Sequence, residues 1–128
     1  MRDTVKLSLL VIAGLLLASV SLSAHHGNAG YDTRTVTVKG VVTQWLWTNP
    51  HTFLKVDETD DKGTITHWTA EWNAPSTLVN FGITAKSFKV GDMVTITMTG
   101  MAKNGAPVGR LIKASFPDGH ELSMGSER

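Results

Sequence analysis

The chain has 128 residues, with 12 Lys and Arg against 11 Asp and Glu, five His and no Cys. A near-neutral balance lacks the basic surplus with which proteins grip phosphate backbones, so no nucleic-acid partner is expected. Without cysteine there are no disulfides and no thiolate zinc sites, and stability must come from the packing of one small domain.

Arg2 and Lys6 precede an uncharged apolar run from Leu7 to Val20, followed by the small-residue segment Ser21-Leu22-Ser23-Ala24 and then His25-His26. Positive start, short apolar centre and small residues are the order of a secretory signal peptide, here residues 1–24. The run is too short to cross a bilayer as a helix. The reading is therefore a periplasmic or secreted bacterial protein with no stable membrane anchor. Cleavage after Ser23 would leave Ala24-His25-His26, in which the amine, two backbone amides and the His26 imidazole can form a square-planar nitrogen set suited to Cu(II) or Ni(II). Cleavage after Ala24 would make His25 first, so that its own amine and imidazole chelate with His26 alongside. The competing reading is a polar tail that happens to carry two histidines. Residues 25–34 read as a flexible, His-containing lead-in unless they dock or bind a ligand.

From Thr35 the apolar period is mostly two, the pattern of strands with one buried face. Residues 35–128 are expected to form a single β domain. The first strand, Thr35 to Trp47, slips its alternation where Val41 and Val42 are both apolar, which points to a β-bulge at Gly40. Asn49-Pro50 breaks it. A second strand is expected from about Thr52 to Asp57. Thr59 to Gly63 reads as a turn, and a third strand runs from about Thr64 to Trp72, with Trp68, Ala70 and Trp72 on one face and Ile65, His67, Thr69 and Glu71 on the other. Asn73 to Gly82 reads as a short helix with Pro75 in its first turn and Gly82 as its stop. A fourth strand, Met93 to Met101, turns Val94, Ile96 and Met98 inward, and a fifth spans about Val108 to Phe116. Three strands, a helix and two strands, with a long bent first strand, predict a small five-stranded OB-like all-β barrel. The competitor is an open β-sandwich, which would need no helix there.

Several of these residues carry a resemblance. The His25-His26 start, Val38-Lys39-Gly40-Val41-Val42 leading into Trp47-Thr48-Asn49-Pro50-His51, the Trp68 to Trp72 segment and the Lys89-Val90-Gly91-Asp92 turn resemble the exported bacterial proteins grouped as domain-of-unknown-function family 6152. The W-x-N-P-H block is the most specific part. The resemblance implies an exported small β domain and transfers no activity.

Histidine is the side chain with reactive chemistry near neutral pH. His51, directly after the Asn49-Pro50 break, can project its ring from the barrel mouth, which makes it a candidate metal ligand beside His25 and His26. Its plainer role would be to satisfy backbone groups around the turn. His67 and Glu71 share a face but lie about 13 Å apart at about 3.3 Å per residue, too far to hold one metal. His120 reads as an exposed turn residue. Trp45, Trp47, Trp68 and Trp72 could stack on a ligand ring, although a domain this small needs most of them as core. Met98 is expected to fill core rather than bind metal. There is no nucleophile elbow, no H-E-x-x-H and no phosphate loop, so no enzyme is predicted. An N-terminal His with a second imidazole is similar to the copper brace of oxidative polysaccharide enzymes, but two adjacent histidines form a different geometry, and an oxidoreductase is the minor reading. The sequence thus predicts a periplasmic protein that binds Cu(II) through His25 and His26, with His51 as a further ligand. The alternative is a non-catalytic OB-like module for a peptide, glycan or other small ligand.

Overall fold

A computed structural model describes residues 30–125. The expected signal peptide and the candidate ligands His25 and His26 lie outside the described residues. The β-branched stretches form strands β1 (Val36–Leu46), β2 (Thr52–Thr59), β3 (Ile65–Trp72), β4 (Met93–Thr99) and β5 (Val108–Ser115), with a short β6 (Glu121–Ser123). Antiparallel pairings run β3-β2-β1-β4-β5, and a parallel pairing of β3 with β5 closes the ring. This is the five-stranded OB barrel. The open sandwich is ruled out by that closure. The sequence reading stops at five strands, whereas the Pro117-to-Gly119 turn folds the tail back so that β6 pairs with β5 outside the barrel.

The first strand corrects the expected bulge. Gly40 lies in regular register, opposite Val94 of β4, and the slip comes later, between Val42 and Gln44. Thr43 is the extra residue, and it exchanges the faces of the strand: Val38 and Val42 point inward before it, and Trp45 and Trp47 pack against the core after it. Gly40 has a different reason to be glycine. A Cβ there would lie 2.3 Å from the Asp57 carbonyl oxygen and 2.7 Å from Val56 Cγ1, so only a residue without a side chain lets β2 approach. A second slip in β5 leaves Ile112 exposed opposite β4.

Between β3 and β4 the chain forms one helical turn, α1 (Pro75–Leu78), continued by a 3-10 turn (Val79–Phe81). Pro75 sits in the first turn, where its missing N–H leaves no bond unmade. Gly82, with φ of 75°, ends it in the left-handed region that glycine enters at little cost. Leu78 and Ile83 are fully buried and cap one end of the barrel, while Phe81 stays exposed. Trp72 is buried on the core side, and Trp68, on the same side, is half-buried and donates its indole N–H to Glu58 at 2.8 Å. Met98 is core, as expected.

The end of the lead-in docks. Tyr31 forms an isolated bridge with Ala102, the Lys103 amide donates to the Gly30 carbonyl and the Asp32 amide donates to the Met101 carbonyl. Asp32 in turn accepts from the backbone and guanidinium of Arg34. Partial desolvation raises its carboxyl, but these hydrogen bonds, the charge of Arg34 and a backbone bond with Met101 outweigh that and hold it below its ordinary value. The clip fixes where the chain enters the domain.

Candidate functional site

The entry to β2 is built by a clamp. The Thr48 hydroxyl donates to the His51 carbonyl at 2.8 Å across the cis Asn49-Pro50 bond, and both the amide and the hydroxyl of Thr52 donate to the Asn73 carbonyl. Thr52 thereby sits opposite Trp72, and Phe53 opposite Glu71. Side chains two apart on a strand share a face, so His51 lies diagonal to Glu71. Its Nδ1 contacts the Glu71 carboxylate. The pair is half in water: the His51 side chain is 50% exposed and that of Glu71 19%.

Beyond Glu71, the parallel ladder places Arg110 of β5 as its register partner. The Arg110 guanidinium lies over the Tyr31 ring, 5.3 Å from its centroid. Such stacking on an aromatic face suits a guanidinium. A cleft of about 340 Å³ opens here, lined among others by Pro50, His51, Glu71, Trp72, Asn73 and Arg110. The docked lead-in therefore enters the domain beside the residue that walls this cleft.

The candidate ligands separate accordingly. His51 is at the barrel mouth, as expected. His67 and Glu71 do not meet: His67 stands opposite Asp57 and contacts it at 2.7 Å, while Glu71 takes His51. His120 is exposed and lies flat on Phe116, with centroids 4.5 Å apart and planes 9° apart. Among the described residues, no three His, Cys, Asp or Glu side chains come together as a metal site, so His51 and Glu71 are not a complete centre by themselves. Trp45 and Trp47 adjoin each other at 5.6 Å, and Trp45 continues into Phe88 at 5.0 Å and donates its indole N–H to the Thr84 carbonyl. Both rings are half-buried and pack against the core. The sequence reading misses that Glu71 and Arg110 share the cleft with His51, and that Tyr31 stacks on Arg110. One signal for Glu71 is present in the chain: once the Asp60-to-Gly63 turn fixes the hairpin register, Glu71 falls diagonal to His51.

Fold and cleft together define the class: a small closed β-barrel of OB topology with a histidine–carboxylate pair at one mouth. The chain matches the family of unknown function DUF6152 over residues 13–111, and it belongs to that family. No curated protein and no solved structure matches it.

Proposed function

We propose that this is an exported copper-binding protein in which the processed N-terminus and His51 share one Cu(II). The observation that carries this reading is the His51–Glu71 pair. With Nδ1 turned toward the carboxylate, Nε2 is the ring nitrogen left for a metal, and a neighbouring carboxylate is the group that commonly orients a metal-binding histidine. The missing ligands would come from the processed N-terminus. His26 stands only a short stretch before Tyr31 in the chain. Fully extended, such a stretch spans roughly 17 Å. Tyr31 is stacked on Arg110, which lines the cleft. An amine, an amide and imidazoles suit the tetragonal preference of Cu(II), and the Irving–Williams order favours it over Zn(II). The protein's role is to hold the ion, not to turn over a substrate.

The test is calorimetry on chain purified with its native processed N-terminus, which mass spectrometry should place at Ala24 or His25. Cu(II) should bind more tightly than Zn(II), and blocking the amine should weaken Cu(II) at least tenfold. The two single variants also report the cut: His26→Ala hurts more if Ala24 is first, His25→Ala more if His25 is first. Equal affinity of blocked and native chains would remove the amine from the site and leave the small-ligand module as the better reading.

A further inference from the structure

On the outer face of the barrel three adjacent strands put Lys39, Thr95 and Ser115 in one row: Lys39 of β1 stands opposite Thr95 of β4, and Thr95 opposite Ser115 of β5. Their chain neighbours Val38, Val94, Ile96 and Ala114 are buried, so the row itself points outward. Side chains paired in this way have Cβ atoms about 4.5–5.5 Å apart, close enough for one small molecule to touch all three. The row lines a shallow pocket of about 140 Å³, with Met93, Phe116 and Pro117 as its apolar walls. This pocket shares no lining residue with the cleft at the His51 mouth.

The chemistry of the pocket favours an anion. Lys39 is its one cation and makes no ion pair among the described residues. Glu121 of β6, opposite Ser115, is already taken: Lys113 contacts it at 3.1 Å and the Ser115 hydroxyl donates to it at 3.2 Å. Thr95 is then the hydroxyl of the row left to donate. Phe116 has both ring faces covered, by buried Phe88 on the core side at 5.7 Å and by exposed His120 on the solvent side at 4.5 Å. What it offers the pocket is its edge, the positive part of an aromatic ring. A single cation matches a single negative charge, while Met93, which is 41% exposed, and Pro117 suit a short hydrocarbon chain. At about 30 Å³ per water, the volume corresponds to about four or five waters, a molecule of a few heavy atoms. We infer that this pocket binds a short-chain monocarboxylate, with its carboxylate on Lys39 beside Thr95 and its chain against Met93 and Pro117. The site is independent of the copper reading.

The experiment uses processed protein passed over chelating resin, with ¹³C-methyl-labelled methionine, titrated with butyrate while the assigned methyl signals are followed. The Met93 signal should move saturably, with half-saturation in the low millimolar range. Met98 and Met101 are buried, so their signals should stay still and report an intact fold. Lys39→Gln should weaken binding about tenfold, the worth of one charge-assisted hydrogen bond. Butanol, which keeps the chain without the charge, should bind about tenfold more weakly for the same reason. Acetate, which keeps the charge without the chain, should bind several-fold more weakly. A Met93 signal that does not saturate, or that responds equally in Lys39→Gln, would overturn the proposal. Equal affinity for butanol would leave an apolar depression only, and equal affinity for acetate an adventitious ion only; either result overturns it as well. Because metal is removed first, binding of butyrate would stand even if the copper reading failed, and its absence would leave that reading untouched.

Discussion

Replacing Gly40 by alanine tests the packing of β1 on β2 at its tightest point. The added methyl would sit 2.3 Å from a backbone oxygen, that of Asp57, and 2.8 Å from the Asp57 carbonyl carbon, well inside contact distance. A side chain can rotate away, but Asp57 is held in the ladder opposite both Val41 and His67, so the strands must part. Overpacking costs about 1–3 kcal/mol, and one stretched ladder bond adds about 1 kcal/mol. Loss of glycine freedom in the unfolded chain returns roughly 0.5–1 kcal/mol. The net expectation is a loss of about 2–3 kcal/mol, or roughly 10–20 °C in Tm for a domain of this size. Gly109→Ala is the built-in comparison. Its Cβ would first meet the Met101 sulfur at 2.6 Å, the flexible part of a side chain. Because a methionine side chain can move aside, the expected loss is nearer to about 1 kcal/mol. Urea titrations followed by tryptophan fluorescence give both numbers. A Gly40→Ala loss below about 0.5 kcal/mol, or one smaller than that of Gly109→Ala, would refute the close-approach argument.

Trp68→Ala should cost about 3 kcal/mol, the low end for a large aromatic, because the ring is half-buried and its N–H is bonded to Glu58; chemical denaturation showing less than about 1 kcal/mol would mean that this face of β3 points to water. Glu71→Gln should weaken Cu(II) binding about tenfold or more by loosening the His51 ring. Asp57→Asn, at a second histidine–carboxylate pair, should leave calorimetric affinity unchanged. Asp32 has its carboxyl lowered in the folded chain, so its contribution is present above its ordinary value of 3.8 and is lost as pH falls through the lower folded value. Asp32→Asn should therefore be less stable than wild type above about pH 4 and match it in stronger acid. Denaturation curves with a gap that does not change across this range would contradict the Asp32–Arg34 clip.

The barrel is readable in the chain because its strands alternate with period two and its breaks are marked by Pro50, by the Asp60-to-Gly63 turn and by Gly82. Each of those signals is local. The position of the bulge is not: Val41 and Val42 suggest a slip at Gly40, but what decides it is which residues of β1 face Val56 and Leu54 across the ladder, and the extra residue proves to be Thr43. Gly40 records a close approach between strands, which no neighbour in sequence reveals. The site divides the same way. His51 stands out beside the Asn49-Pro50 break, and its partner Glu71 follows from the hairpin register. Arg110 reaches the cleft through the parallel β3–β5 closure, and Tyr31 meets Arg110 through its bridge to Ala102 in a loop far along the chain. Both contacts are set by barrel topology rather than by any motif.

The central claim is that the processed N-terminus and His51 converge on one copper ion. Electron paramagnetic resonance of the 1:1 Cu(II) complex, compared between wild type and His51→Ala, tests it most directly. Nitrogen couplings that include His51 in the wild type, with altered copper parameters in His51→Ala, are the result predicted. Identical spectra from the two proteins would show that copper, if bound, is held by the tail alone and that the cleft serves something else.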